Sequence, residues 1–146
     1  MWQIRRAQEQ DHDAILALWD AAGLGRTTPE EWHALSTGPT SMIFVAEDTG
    51  DSSDKTPAGA VIGVAIATYD GWRAYIYHLA VHSKRRHEGI GRGLVAAAEQ
   101  YLAQAGARNA YVMVSDTDGL ALLSGAGFLP GGEMVLAKPL SPPVRV

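Results

Sequence analysis

Apolar and polar residues alternate with a period of two through Trp2-Gln3-Ile4, then change to helical spacing a few residues later. The chain is therefore expected to open with a short strand and continue into a helix. Ile15, Leu18, Trp19 and Ala22 fall at i, i+3, i+4 and i+7, with Asp11 placed to cap this helix and Gly23 to stop it. Thr28-Pro29-Glu30-Glu31 marks a second helix start. Thr28 and Glu31 have capping-box spacing, and Pro29 sits where a missing N–H costs nothing. Met42 to Glu47 has the β-branched and aromatic content of a strand, Thr49 to Pro57 that of a solvated loop, and Val61 to Ala67 that of a well-buried strand. These two strands should form a long-looped hairpin, and the turn Tyr69-Asp70-Gly71 leads into a third, Ala74 to Val81.

A glycine-rich loop follows, and then the most strongly patterned helix, Gly91 to Ala105, whose apolar stripe is Leu94, Val95, Ala98, Tyr101, Leu102 and Ala105. Gly106 stops it. Ala110 to Val114 is the next expected strand, parallel to the one before the helix and joined to it by a right-handed crossover. A short helix around Gly119 to Ser124 ends near Gly127, and Glu133 to Ala137 has the pattern of a last strand. The expected fold is α/β: a mixed, mostly antiparallel sheet flanked by helices, in the order β-α-α-β-β-β-α-β-α-β. Residues 1–140 form one domain in this reading, with 141–146 a frayed tail.

The 146 residues include 47% hydrophobic ones, enough for one substantial core without disulfides or structural metal. There is no cysteine, which removes thiol catalysis and cysteine-based zinc sites; no metal is expected. No apolar run approaches the roughly 20 residues of a membrane span, and the opening residues lack a signal-peptide pattern, so a cytoplasmic protein is expected. A net charge of −4 disfavours a nucleic-acid partner. Against that background the basic island Lys84-Arg85-Arg86-His87, with Arg92 beyond it, stands out.

The segment Arg86-x-x-Gly89-x-Gly91 lies between a buried strand and a long helix. Backbone N–H groups and the helix dipole make an anion site at such a junction, and glycines let a phosphate come close. The same glycines also suit a tight strand-to-helix turn that needs positive φ, and the loop alone leaves both readings open. A Walker loop would need Lys-Ser/Thr after Gly91, where Arg92-Gly93 stand; a dinucleotide fingerprint would need glycine or alanine at Leu94. Neither fits.

The stretch from Tyr77 through Leu94 resembles the coenzyme-binding motif of the GCN5-related N-acetyltransferases (GNAT), whose signature Gln/Arg-x-x-Gly-x-Gly/Ala is met by Arg86, Gly89 and Gly91. Asp116 through Gly127-Phe128 is similar to that family's Asn-to-Tyr-to-Gly-Phe stretch, and the element order agrees over nearly the whole chain. Tyr69-Asp70-Gly71 running into Tyr75 to Val81 is most similar to small bacterial acetyltransferases.

The resemblance implies an acyl-CoA-dependent N-acyltransferase. It would move an acetyl group from acetyl-CoA, the cosubstrate, or a short acyl group from its acyl-CoA, to a primary amine on a small molecule or peptide. It further implies that the backbone of Leu79, Ala80 and Val81 pairs with the pantetheine arm. The amides of Arg86, His87, Glu88, Gly89, Ile90, Gly91 and Arg92 would hold the pyrophosphate. The strand bearing Val81 would splay from the one bearing Val112, admitting the thioester. Lys84 or Arg85 would reach a coenzyme phosphate, or else form an ordinary solvated charge pair. Many members dimerise, and a homodimer is left open here.

Without cysteine an acyl-cysteine intermediate is excluded, so direct transfer in a ternary complex is the economical route. Tyr75 and Tyr77 occupy positions where relatives place acceptor-facing glutamate or histidines. A phenol titrating near pH 10 is a poor base, so these two would orient the acceptor or a relay water, or simply form the wall. Strict alternation puts both on one face and His78 on the other, against a helix. Leu123 stands where the family has a tyrosine that protonates the sulfur, and leucine cannot donate. Ser124, Tyr111 or a water would substitute, and an alternative reading is a catalytically weak acyl-CoA-binding regulator. Asp116 replaces the usual asparagine and is expected to cap the following helix. The acceptor would sit between the first two helices and the Pro130-Gly131-Gly132 loop, where Trp19, Arg26, Trp32 and Glu133 are candidates. Trp19 also fits the core.

Overall fold

The computed structural model describes residues 1–50 and 55–140. The central part of the expected 49–57 loop and the expected tail lie outside the described residues. Contacts divide the chain into two compact units, one ending at Val114 and the other starting at Ser115.

The first unit contains β1 (Trp2–Arg6), α1 (His12–Ala21), α2 (Pro29–Thr37), β2 (Ser41–Asp48), β3 (Val61–Tyr69), β4 (Ala74–Val81), α3 (Ile90–Ala105) and β5 (Tyr111–Val112). The strands lie in sequence order in one sheet. β1 to β4 are successive antiparallel neighbours, and β5 is parallel to β4 across the α3 crossover. The alternation that predicts the strands also sorts their side chains between two cores. Ile43, Val45, Val64, Ile66 and Ala80 pack with Ile15, Leu18 and Trp19 of α1 and Trp32 of α2. Ala46, Ile62 and Ala65 pack with Ile90 and Leu94 of α3 on the opposite face. Gly63 allows that second contact, because a Cβ there would come within 2.9 Å of both Ile90 and Leu94.

Helix signals are met unevenly. The Thr28 capping box forms, with Glu31 N donating to Thr28 Oγ1 at 3.1 Å and Thr28 N donating to Glu31 Oε1 at 2.7 Å. The α3 stripe is buried at Leu94, Val95, Ala98 and Leu102, and the helix ends at Gly106 in the left-handed region, φ 109°. Asp11, in contrast, does not cap α1 with its side chain. Its carboxylate is taken by Arg5, at 2.7 and 3.0 Å, and by the backbone N–H of Gln8. A guanidinium offering two parallel donors competes better for that carboxylate than one helix N–H does.

β5 has two residues where five were expected. In the second unit α4 (Thr117–Gly125) forms. The expected strand at 133–137 does not: those residues are exposed and belong to no strand. Among the described residues the order thus ends β-α, one strand short of the pattern.

Candidate active site

β4 changes partners along its length, and that change creates an opening. On one edge it pairs with β3 from Ala74 to Val81. On the other, pairing with β5 stops after Tyr75↔Tyr111 and Ile76↔Val112. From Tyr77 to Val81 that second edge has no strand partner among the described residues, a gap in the ladder that begins where β5 ends.

A bulge lies at the head of the gap. Val64 pairs with Ala80 and Ile66 with Tyr77, leaving His78 and Leu79 both opposite Ala65. His78 takes φ 52°, which a non-glycine residue adopts only when its surroundings fix it. They do: its carbonyl accepts from Trp19 Nε1 at 3.0 Å, its ring meets Trp19 edge-on at 5.1 Å, and Nε2 lies 3.0 Å from Gly25 O. This corrects the expectation of strict alternation. Tyr77 packs against the α1 core, and the bulge turns His78 toward α1 as well.

Tyr75 and Tyr77 lie at the start of the gap. The Tyr75 ring stands 5.6 Å from that of Tyr111, and the Tyr77 ring 5.7 Å from that of His78. Burial pushes the Tyr77 phenol above its ordinary pKa, making it a still poorer base and a more persistent donor. Further along β4, Leu79 and Val81 turn their side chains to the α3 face and Ala80 to the α1 face. On one edge Ala80 and Val81 pair with Val64 and Gly63 of β3, and on the β5 side they have no strand partner among the described residues.

Beyond β4 a single turn of 3-10 helix, Ser83–Arg85, leads into the loop. His87 and Gly89 both take positive φ, 63° and 83°, and Gly89 is the N-cap of α3 with no side-chain cap. The first N–H groups of this 16-residue helix thus receive no cap from the side chain of the N-cap residue. Ile90 puts its side chain into the α3 core and Gly91 is buried, whereas Arg86, His87, Gly89 and Arg92 are exposed. A Cβ built on Gly89 would meet only Trp2, at 3.8 Å, so it is the positive φ and not crowding that calls for glycine at this position.

Two predicted residues have other tasks. Arg85 is neither a phosphate ligand nor a solvated charge; it is 1% exposed. Its Nη1 donates to Asp48 Oδ2 at 2.6 Å and Thr56 Oγ1 at 2.7 Å, and its Nε and Nη2 donate to Glu88 at 3.0 Å. The charge sits under the loop because a buried carboxylate at the end of β2 needs it. The Glu88 side chain points inward to Arg85, leaving only backbone for a ligand. Hydrogen bonds from Arg85 hold the Glu88 carboxyl below its ordinary range. The Thr56 hydroxyl and the Gly50 N–H, joined by Arg85, do the same for Asp48. Trp2, Asp48 and Thr56 were not foreseen as site residues.

The acceptor candidates disperse. Trp19 and Trp32 are core residues, Trp32 donating to Glu9 at 3.1 Å, and Arg26 is paired with Asp20 at 3.0 Å on the surface. In the second unit Asp116 caps α4, accepting from Gly119 N at 2.6 Å, while Leu123 is buried, Ser124 is exposed and Glu133 is exposed. No helix is long and apolar enough to cross a membrane, and no group of three or more metal-ligating side chains occurs among the described residues.

Fold and loop together describe an α/β protein in which a sheet edge without a strand partner among the described residues leads into a glycine-capped helix N-terminus. Residues 3–128 match the model of the acetyltransferase (GNAT) family, and the chain belongs to that family, whose members draw their acetyl group from acetyl-CoA. It is 30% identical over 116 residues to the acetyltransferase SG1711 of Sodalis glossinidius, covering 77% of this chain and 75% of that one. The acetyltransferase YE1169 of Yersinia enterocolitica is 26% identical over 116 residues, covering 78% of this chain and 77% of its own. In fold the chain is similar to glucosamine-6-phosphate N-acetyltransferase from Arabidopsis thaliana, with TM-score 0.74, 15% identity, and 97% and 99% of the two chains covered.

Proposed function

We propose that this protein transfers an acetyl or short acyl group from acyl-CoA to a primary amine, directly and in a ternary complex. The observation that carries this reading is the unpaired β4 edge from Tyr77 to Val81 running into the uncapped N-terminus of α3. An extended amide-bearing arm ending in a pyrophosphate matches both parts. The arm adds as a strand beside Leu79, Ala80 and Val81. The pyrophosphate takes the N–H groups from Arg86 to Arg92.

In the reaction, the amine nitrogen attacks the thioester carbonyl carbon and the C–S bond breaks. The amine's surplus proton passes to solvent or a relay water, and the thiolate of coenzyme A leaves and is protonated. Tyr77, kept neutral by burial, acts as a hydrogen-bond donor, and Tyr75 beside it orients the acceptor or the relay water. The acceptor is a small-molecule or peptide amine.

One feature favours a second reading, a coenzyme-binding regulator with little turnover: the residue at the position of the expected sulfur-protonating tyrosine is the buried Leu123. Isothermal titration with acetyl-CoA, coenzyme A and ATP tests the shared premise. Binding selective for the coenzymes and abolished by Gly89→Glu is expected, because the new side chain brings bulk and negative charge into the loop. A folded protein that binds neither coenzyme overturns both readings. Thiol release across an amine panel then separates them, since a regulator gives none.

A further inference from the structure

The upper surface of the loop is built for an anion, but its conformation is set from below. Gly89 takes its positive φ at no cost, but at the non-glycine His87 positive φ is uncommon, and neighbouring structure must hold it. Three ties do so. Arg85 N donates to His82 O at 2.9 Å, closing the turn that leads in. The Arg85 guanidinium uses Nε, Nη1 and Nη2 to span Asp48, Thr56 and Glu88 at once. Asp48 in turn accepts from Gly50 N at 2.7 Å and Thr56 Oγ1 at 2.6 Å, so it joins the β2–β3 connection to the loop. A rigid planar fork can bridge three acceptors in this way; an ammonium on a flexible stem cannot.

The third tie is Trp2. Its indole N–H donates to the Glu88 carbonyl at 3.2 Å. In a trans peptide the carbonyl and the next N–H point in opposite directions, so holding the Glu88 C=O inward turns the Gly89 N–H outward. Trp2 reaches that spot because position 93, on the first turn of α3, is glycine: a Cβ there would lie 2.8 Å from the indole ring.

We propose that Trp2 and the Arg85–Asp48–Thr56–Glu88 cluster are positioning residues that fix the N–H groups of the 86–92 loop before the coenzyme arrives. The proposal rests on reading that loop as the pyrophosphate site. None of these side chains touches the ligand; each acts through the backbone it holds.

Two variants and two ligands test this. Trp2→Phe keeps an aromatic ring and removes one N–H; Arg85→Lys keeps the charge and removes the fork. Affinity is measured for coenzyme A by calorimetry. Affinity for S-acetylpantetheine, which has the strand-forming arm but no pyrophosphate, is measured by nuclear magnetic resonance titration, with melting curves as a folding control. Coenzyme A affinity is expected to fall about tenfold in Arg85→Lys and about threefold in Trp2→Phe, in line with losing a charged and a neutral hydrogen bond. S-acetylpantetheine affinity should not change in either. If Arg85→Lys does not fold, Trp2→Phe decides. Unchanged coenzyme A affinity in the folded variants overturns the proposal, and so do equal losses for both ligands, which would make the cluster a general support of the sheet. A wild-type protein that binds no coenzyme A overturns the underlying reading as well.

Discussion

Arg85 and Arg86 are adjacent in sequence and opposite in surroundings. Arg85 is sealed beneath the loop, with Asp48, Thr56 and Glu88 satisfying its donors, while Arg86 stands exposed above it. The same contrast extends along the whole segment. On the inner side, buried charges are paired and the Glu88 carbonyl is tied to Trp2. On the outer side lie the exposed Arg86 and His87 and the start of α3, whose N-cap is glycine. The inner charges hold a shape, while Arg86 stays at the surface. A basic run in a sequence is thus not one functional unit, since neighbouring cations can serve stability and binding separately.

Neutralising each arginine breaks the comparison most directly. Arg85→Met leaves Asp48 buried without its ion-pair partner, and losing one member of such a pair is strongly destabilising. Its melting temperature is expected to fall by roughly 10 °C or more. Arg86→Met should move it by no more than about 2 °C, as exposed substitutions do, while weakening coenzyme binding and lowering its salt dependence. Melting curves paired with coenzyme A titrations at low and high salt check both. Equal melting temperatures for the two variants would mean that the inner pairing contributes little to the folded state.

How far the sequence disclosed this arrangement depended on the range of the interaction involved. Helix signals confined to a few residues read correctly: the Thr28–Glu31 box and the α3 stripe both form. The hairpin, the parallel crossover and the glycine loop at the N-terminus of α3 were legible for the same reason. Failures came where a contact between elements decided the outcome, at Arg85 and Glu88 with partners far along the chain. Arg85 is claimed by Asp48, 37 residues away, and the Glu88 carbonyl by Trp2, 86 residues away. Asp11 read as a cap until Arg5, on the neighbouring strand, took its carboxylate. Alternation could not reveal the bulge at His78, because an extra residue in a strand leaves its apolar pattern nearly intact while turning one side chain to the other face. At 133–137 the strand pattern is present and the strand is not. A strand is completed by a neighbour, and intrinsic preference alone does not supply one.

Acid sharpens the comparison with a smaller effect. The Asp48 and Glu88 carboxyls are both held below their ordinary pKa values in the fold. Their stabilising contribution is therefore complete above the unfolded-state values and is lost as pH falls through the lowered, folded-state ones. Asp11, held down by Arg5 against the opposing effect of burial, and Asp70, held down by the N–H groups of Arg73 and Trp72, change stability in the same direction. The informative quantity is thus the difference between the wild type and Glu88→Gln. Between about pH 5 and pH 3 the wild-type melting temperature should fall more steeply, the two curves converging as the wild-type carboxylate protonates. Parallel curves over that range would show that Glu88 brings no pH-linked stability to the inner side.

The smallest effect expected is at Asp116, which offers a control outside the first unit. Its carboxylate accepts from Gly119 N at 2.6 Å, and its own φ and ψ are extended, so it satisfies the geometry of a helix N-cap. Removing such a cap costs about 1 kcal/mol, whereas asparagine caps about as well as aspartate. Asp116→Ala should therefore destabilise the protein slightly and Asp116→Asn hardly at all, with coenzyme A affinity unchanged in both. The asparagine variant is the decisive one, because it restores the residue usual in the family at this position. If it left stability alone yet raised turnover on an amine, Asp116 would have a part in the chemistry beyond capping α4. Unchanged turnover would confine it to the helix end, where its hydrogen bond already accounts for it.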